Sequence, residues 1–224
     1  MQKKIIICGL ADIQDCVDKY KPDKMLTIIN KNFEPETPLG MDKNRHLKML
    51  IDDISEPRDG FILPEKHHAQ ELLDFTDDWD KTKPILIHCH MGISRSTATS
   101  LGVAGKFAPE NIELIIENLK EIAPHASPNK IMMKYYDEIL DLNNRLYGSV
   151  PYFNPEPIEE SRIVELNFYD NFMNNNCAVC KKKIIEPLYW ADPKFYNIPK
   201  KVFFCGADCS LIYYKKIKKL FKIQ

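Results

Sequence analysis

The chain has 224 residues, of which 44% are hydrophobic and 28% charged, and its formal net charge is −1. That make-up suits a medium globular domain with a small appendage and excludes disordered, collagen-like and coiled-coil chains. No run of eighteen apolar residues occurs, so no membrane span is expected, and the apolar stretch within residues 1–8 is too short for a signal peptide. The near-neutral total hides a division. Residues 177–224 carry eleven Lys against Glu186, Asp192 and Asp208, a net of +8, which leaves −9 for residues 1–176.

Residues 4–8 read as a buried strand. After a turn at Gly9, Asp12 is a candidate N-cap for a helix that places Ile13, Cys16, Val17 and Tyr20 on one face. Residues 25–29 and 46–51 read as two further strands, and 65–79 as a helix with Ala69, Leu72, Leu73 and Trp79 inward. Residues 85–88 form a fourth strand, followed by a helix from about Ser94 to Gly105. Pro109 opens another helix with Ile112, Ile115, Ile116, Leu119 and Ile122 in one stripe. Ser127 and Pro128 read as N-cap and first turn of a helix through Leu146, with Met132, Tyr135, Tyr136, Ile139 and Leu142 inward. Strands alternating with helices predict an α/β fold with a mostly parallel central sheet flanked by helices. The stretch after Gly148 holds Pro151, Pro155 and Pro157 without periodicity. It divides the chain into a domain over 1–147, a linker over 148–165 and a second module over 166–224. The neighbouring His67 and His68 point apart on a helix and read as helix surface.

The apolar strand at 85–88 ends in His88-Cys89, then His90-Met91-Gly92-Ile93-Ser94, then Arg95-Ser96 and a helical pattern. Successive N–H groups of such a loop curl into an anion-binding nest, Gly92 permits the tight turn, and the helix adds its positive end. Arg95 offers two parallel hydrogen bonds to phosphate oxygens, which Lys does not. The thiolate is the attacking form of cysteine, and the same positive field favours it at Cys89. Ser96 is placed to stabilise it. His88 orients the loop without touching substrate. A lone buried cysteine is ordinarily packing; the complete frame between strand and helix is what points to chemistry.

This frame resembles the His-Cys-x5-Arg-Ser/Thr signature of the protein tyrosine and dual-specificity phosphatases, over about residues 1–147. The resemblance implies a cofactor-free, two-step transfer of phosphate through phosphocysteine, with Cys89 as nucleophile and an Asp as general acid. Candidates for the acid are Asp52, Asp53 and Asp59. By the pattern of dual-specificity phosphatases, Asp53 holds the matching position after the strand His46-Leu-Lys-Met-Leu-Ile, although Glu56–Pro64 lengthens its loop. The Trp-Pro-Asp triplet of receptor-type tyrosine phosphatases is absent. Asp-Asp-Ile-x-Glu-Pro, Gly-Ile-Ser-Arg-Ser-Thr and Pro128-Asn129 are similar to small phosphatases of bacterial type, in which such an Asn shapes the loop beside the site. Helix capping alone also explains Asn129. His90-Met91 lacks the lysines of phosphoinositide phosphatases of this superfamily.

Cys177-x-x-Cys180 and Cys205-x-x-x-Cys209 form two chelating pairs separated by twenty-four residues. Four thiolates at such spacing suit one structural Zn2+ with no open catalytic position, and metal binding would supply folding energy to a segment too small for its own core. The layout resembles treble-clef fingers and the small finger of poxvirus late transcription factors. With the Lys, Ile and Asn richness, that resemblance suggests a large DNA virus as source. Lys215, Lys216, Lys218, Lys219 and Lys222 flank an apolar side made of Tyr213, Ile217, Leu220 and Phe221. This basic helix is a solvated packing element or contacts nucleic acid or an acidic protein.

The expected protein is therefore an intracellular (cytoplasmic) protein phosphatase of tyrosine or dual specificity, with a zinc module for docking or placement; a viral source would allow a place in the virion. Reduced cysteines fit such a compartment. Two other readings stand beside it: a phosphate-reading or assembly protein with an unused phosphatase fold, and an RNA 5′-phosphatase.

Overall fold

The computed structural model describes residues 2–169, 177, 179, 180, 182, 189–191 and 202–221. Two compact units divide the chain, residues 1–170 and 171–224.

Unit one is an α/β domain around a five-stranded sheet. Its strands are β1 (Gln2–Cys8), β2 (Lys24–Ile29), β3 (His46–Leu50), β4 (Ile85–His88) and β5 (Val164–Tyr169), in the order β3-β2-β4-β1-β5. The first four are mutually parallel, and β5 runs antiparallel to β1. Because strand side chains alternate between faces, Ile5 and Ile7 join one core cluster while Ile6 and Cys8 join another. The larger cluster lies under α2 (Lys66–Asp74), α3 (Arg95–Phe107), α4 (Ile112–Ile122) and α5 (Lys130–Ile139); the smaller lies under α1 (Ile13–Tyr20). Burial on both faces explains why the central strands read as continuous apolar runs.

Several boundaries differ from expectation, each for a local reason. Asp12 makes no capping bond; its carboxylate receives the Ser161 hydroxyl. The second helix stops at Asp74, and Trp79 reaches the core from the turns that follow. Ile122, at the frayed end of α4, is 39% exposed. The cap of α5 is Asn129, whose side chain accepts from the Met132 N–H at 3.2 Å, while Ser127 lies two residues ahead with its N–H on the Ile93 carbonyl. That helix ends at Ile139 instead of Leu146. The buried Asp137 carboxylate takes the N–H groups of Asn144, Leu146 and Tyr147, and Asp141, Asn143 and Asn144 turn left-handed. A side chain that offers the backbone such bonds competes with helix propagation.

The largest correction concerns the linker over 148–165 and the module beginning at 166. Residues Tyr147–Tyr152 form a short 3-10 turn, a strap follows, and Val164–Tyr169 closes the open edge of β1. Val164, Leu166 and Phe168 are buried, and Glu165 on the opposite face takes Lys4 Nζ at 2.8 Å and the Tyr20 hydroxyl at 2.7 Å. An unpaired sheet edge leaves a row of backbone donors and acceptors unsatisfied; β5 removes that cost for β1. The domain therefore runs to about residue 170.

In the second unit, β6 (Tyr189–Ala191) and β7 (Val202–Phe204) pair antiparallel, and α6 (Ala207–Phe221) follows. The Phe204 and Tyr213 rings meet at 5.1 Å, which joins the hairpin to the helix. Side chains beyond Lys215 lie outside the described residues, so the expected apolar side of the basic helix is described only at Tyr213.

If β5 belongs to the domain core, Leu166→Ala should cost about 2–5 kcal/mol in chemical denaturation, the usual range for a buried leucine. A change within about 0.5 kcal/mol, typical of linkers and surfaces, would remove β5 from the cooperative unit.

Candidate active site

The carboxyl ends of the parallel strands converge where β4 leaves the sheet. His88 is its last residue, Cys89–Ser94 form a loop, and Arg95 opens α3. Gly92 sits at φ +76°, and a Cβ there would lie 2.9 Å from the Cys8 carbonyl carbon. Both the dihedral and the approach to β1 therefore require glycine. The loop carbonyls are fastened outward. His90 O accepts from the Leu10 N–H at 3.0 Å, Ile93 O from Ser127 N–H at 3.0 Å, and Ser94 O from Asn129 N–H at 3.3 Å. Thr97 Oγ1 also donates to the Ser94 carbonyl at 2.9 Å. With the carbonyls so committed, the N–H groups are the polar face left for an anion.

Cys89 is 2% exposed, and its Sγ lies 3.2 Å from Ser96 Oγ. Arg95 is 5% exposed; Nη1 donates to the Ile51 carbonyl at 2.7 Å, while Nε is buried without a hydrogen-bond partner. A buried guanidinium donor left open is costly unless a ligand uses it. Its position beside the loop fits a phosphate oxygen.

The three candidate acids separate clearly in the fold. Asp53 Oδ1 accepts from Ser94 Oγ at 2.7 Å and from Asn129 Nδ2 at 2.9 Å, and Oδ2 lies 3.9 Å from Arg95 Nε. Asp52 instead clasps its own loop: its N–H donates to Ile62 O at 2.9 Å, and Oδ2 accepts from Ile62 N–H at 2.8 Å. Asp59 sits on an exposed turn closed by Phe61 N–H to Arg58 O at 3.1 Å. Asn129 uses both ends of its amide. Its oxygen caps α5, while its nitrogen holds Asp53 and reaches Ile54 O at 3.2 Å. His90, exposed at the lip, lies against the Phe33 ring at 4.6 Å.

Beneath the nucleophile runs a polar line that the sequence reading did not find. His88 Nδ1 is 3.2 Å from the Cys89 carbonyl, and its Nε2 is 2.6 Å from Thr27 Oγ1. Thr27 Oγ1 is also 2.7 Å from His46 Nε2, and His46 Nδ1 is 2.9 Å from Thr37 Oγ1. Burial holds both imidazoles down at about 4, aided by the Arg95 charge at His88 and by Lys48 at His46. Neutral rings then admit one consistent set of protons. The carbonyl only accepts, so His88 Nδ1 carries hydrogen and Nε2 accepts from the Thr27 hydroxyl. Thr27 oxygen must then accept from His46 Nε2, and His46 Nδ1 accepts from Thr37. The register explains the reach: His88 is paired with Thr27 on one side and Cys8 on the other. Thr27, a hydroxyl set within the apolar stretch of residues 25–29, was the available signal.

In the second unit, the sulfur atoms of Cys177, Cys180, Cys205 and Cys209 all lie within 4.8 Å of one another, with Cys180–Cys205 at 3.5 Å and Cys205–Cys209 at 3.7 Å. A tetrahedral ion with metal–sulfur bonds of about 2.3 Å requires sulfur separations near 3.8 Å, so the quartet fits one metal ion. Crowded thiols resist joint ionisation without a cation. Cys209 is pushed up to about 12, first by the Cys177 thiol. Burial pushes Cys177 up as well, but N–H groups of Cys180, Cys205 and Val179 hold it down at about 6.

The polar line makes a stability prediction with a definite sign. Between pH 6.5 and about 4 the unfolded chain binds protons at His46 and His88 that the folded chain refuses. Their contribution to stability is therefore complete above 6.5 and lost on acidification, at most ~1.4 kcal/mol per pH unit per residue. Denaturation series at pH 7 and pH 5 should show a smaller acid loss for His46→Gln than for wild type. Thr27→Val should cost about 1–3 kcal/mol for each orphaned imidazole nitrogen. Equal acid losses in wild type and His46→Gln would refute the neutral relay.

No protein-family model matches the chain. Among curated proteins it is similar to the dual specificity protein phosphatase YVH1 of Plasmodium falciparum (isolate 3D7), with 29% identity over 184 residues. The match covers 76% of this chain and 31% of that protein, so the chain spans less than a third of the relative's length. Among solved structures, it is similar to DUSP15, with 19% identity, 67% of this chain and 92% of that chain covered, and a TM-score of 0.44. It is also similar to the Yvh1 phosphatase domain from Chaetomium thermophilum, with 18% identity, 62% and 90% covered, and a TM-score of 0.45.

Proposed function

We propose that this chain is a cysteine-dependent phosphomonoester hydrolase acting on phosphorylated protein, of the dual-specificity phosphatase kind. The observation that carries the reading is the buried Nε of Arg95 at the end of the Cys89–Ser94 loop, without a hydrogen-bond partner and 3.9 Å from Asp53 Oδ2, with Asp53 held by two donors. In the first step the Cys89 thiolate attacks phosphorus, the ester P–O bond breaks, and the Asp53 proton passes from Oδ2 to the leaving oxygen. The loop N–H groups and Arg95 stabilise charge on the equatorial oxygens. In the second step Asp53 accepts a proton from water as it attacks phosphocysteine. The departing thiolate is met by the Ser96 hydroxyl, 3.2 Å away. His88 keeps the Cys89 carbonyl turned down and away from the anion.

A pure phosphate reader has no use for a sulfur nucleophile and an aligned carboxylate, so the hydrolase reading is preferred. An RNA 5′-phosphatase is disfavoured because Asp12, Glu159 and Glu160 line the groove next to the loop, which repels a polyanion. The four-cysteine unit is proposed to hold one structural Zn2+, with its lysines placing the enzyme on an acidic partner, protein or nucleic acid. Four reduced thiols suit an intracellular setting. Among the described residues no helix is long and apolar enough to cross a membrane.

On a small aryl phosphate, Cys89→Ser should reduce turnover to background. Asp53→Asn should lower kcat by roughly 10²–10⁴-fold for phosphopeptides, and less for esters whose leaving group needs no proton. Asp52→Asn should act on stability instead of kcat. No turnover of aryl phosphate, phosphopeptide or triphosphorylated RNA by folded wild type would sink the hydrolase reading.

Elemental analysis should find one zinc per chain. Its removal by chelation should melt α6, seen as lost far-ultraviolet ellipticity. Retained ellipticity in the metal-free protein would refute a structural ion.

A further inference from the structure

Beside the catalytic loop lies a groove of about 530 Å³, lined by Leu10, Ala11, Asp12, His90, Met91, Glu159, Glu160 and Ser161. Its floor is the first half of the signature loop, so it opens one residue from the nucleophile. One wall is the short turn after β1, tied to the loop by Leu10 N–H to His90 O at 3.0 Å. The other wall is the strap that precedes β5.

That strap is built into the domain. Glu156 N–H donates to Pro124 O at 3.0 Å, the Ser161 hydroxyl donates to Asp12, and β5 then locks onto β1. A Cβ at Gly9 would overlap the Ser161 side chain, so glycine there admits the strap against the loop. The result holds Glu159 and Glu160 across from Asp12 over an apolar base of Leu10 and Met91, and among the described residues no Lys or Arg lines the groove.

Two independent features specify one ligand. The buried Nε of Arg95, which has no hydrogen-bond partner and lies 3.9 Å from Asp53 Oδ2, marks where a phosphate group sits. Residues flanking a phosphorylated side chain must lie along the surface adjoining that point, and on this side the surface is the groove. Its chemistry suits a long cationic side chain, whose methylenes cover Leu10 and Met91 while its head meets the carboxylates. We infer that the groove is a specificity subsite for an Arg or Lys next to the phosphorylated residue, which makes basic-flanked phosphopeptides the preferred substrates. This rests on the hydrolase reading and adds a sequence preference to it.

The test uses the full chain and phosphotyrosyl peptides in which Arg is scanned through the positions around the phosphoresidue, against Ala and Glu. Arg on one side of the phosphoresidue should raise kcat/KM about 3–10-fold over Ala through KM, the scale of partly exposed ion pairs. The gain should vanish near 0.5 M salt and invert in favour of Glu in the Glu159→Lys/Glu160→Lys double variant. Turnover of a small aryl phosphate should be unchanged in that variant, which also shows that it folds. Equal rates for Arg, Ala and Glu peptides, or a preference that survives the charge reversal, would overturn the subsite while leaving the hydrolase intact. Failure to hydrolyse aryl phosphate at all would overturn both.

Discussion

Three adjacent parallel strands are joined, beyond their backbone ladder, by a line of side-chain hydrogen bonds from Thr37 through His46, Thr27 and His88 to the carbonyl of Cys89. Apart from the half-buried Thr37 at its end, the line is buried, so the Thr27 hydroxyl and both imidazoles must find partners within the protein. That requirement settles both histidine tautomers and holds the Cys89 peptide with its carbonyl toward the sheet. The orientation of the anion-binding loop follows, because a peptide turned the other way would place an oxygen where the loop needs an N–H. The face that the loop turns toward an anion is thus tied to proton order in the core.

The rest of the site is assembled around that peptide by elements far apart in the chain. The end of β3 supplies the Ile51 carbonyl, which steers Arg95, and the next turn supplies Asp53. The start of α5 supplies Asn129, which holds Asp53 while capping its own helix. Ser94 belongs to the loop itself and binds the same carboxylate oxygen. One oxygen of Asp53 therefore accepts from two donors, and the other faces Arg95 Nε at 3.9 Å. Asp52, one residue earlier, faces the neck of the long loop and closes it. The bend at Asp53 separates two neighbouring carboxylates into a positioning clasp and a candidate acid.

The strap and β5 show how a segment without helical or strand signals at its start can shape the surface beside the loop. Its prolines exclude regular structure, yet its end carries the period-two pattern Val164, Leu166, Phe168 that closes the sheet. Once β5 is fixed by register with β1, the intervening residues have only the surface beside the loop to cross. Their acidic side chains thereby line the groove next to the nucleophile. A domain edge has become the wall of a cleft.

The signature loop, its strand and helix, the four central strands and the cysteine pairs were legible in the sequence, because each rests on local spacing. A turn needs its glycine, a strand its apolar run, a chelate its two thiols a few residues apart. The sequence pattern already singled out Asp53 among three candidates, but the bonds that hold it, the double use of Asn129, the end of α5 and the place of β5 were decided only by tertiary structure. Each depends on a partner distant in the chain: Ser94 for Asp53, Asp53 for Asn129, three N–H groups for Asp137, the open edge of β1 for Val164–Tyr169. Local pattern states what a residue is able to do, and the fold selects which of those capacities has a partner within hydrogen-bond reach.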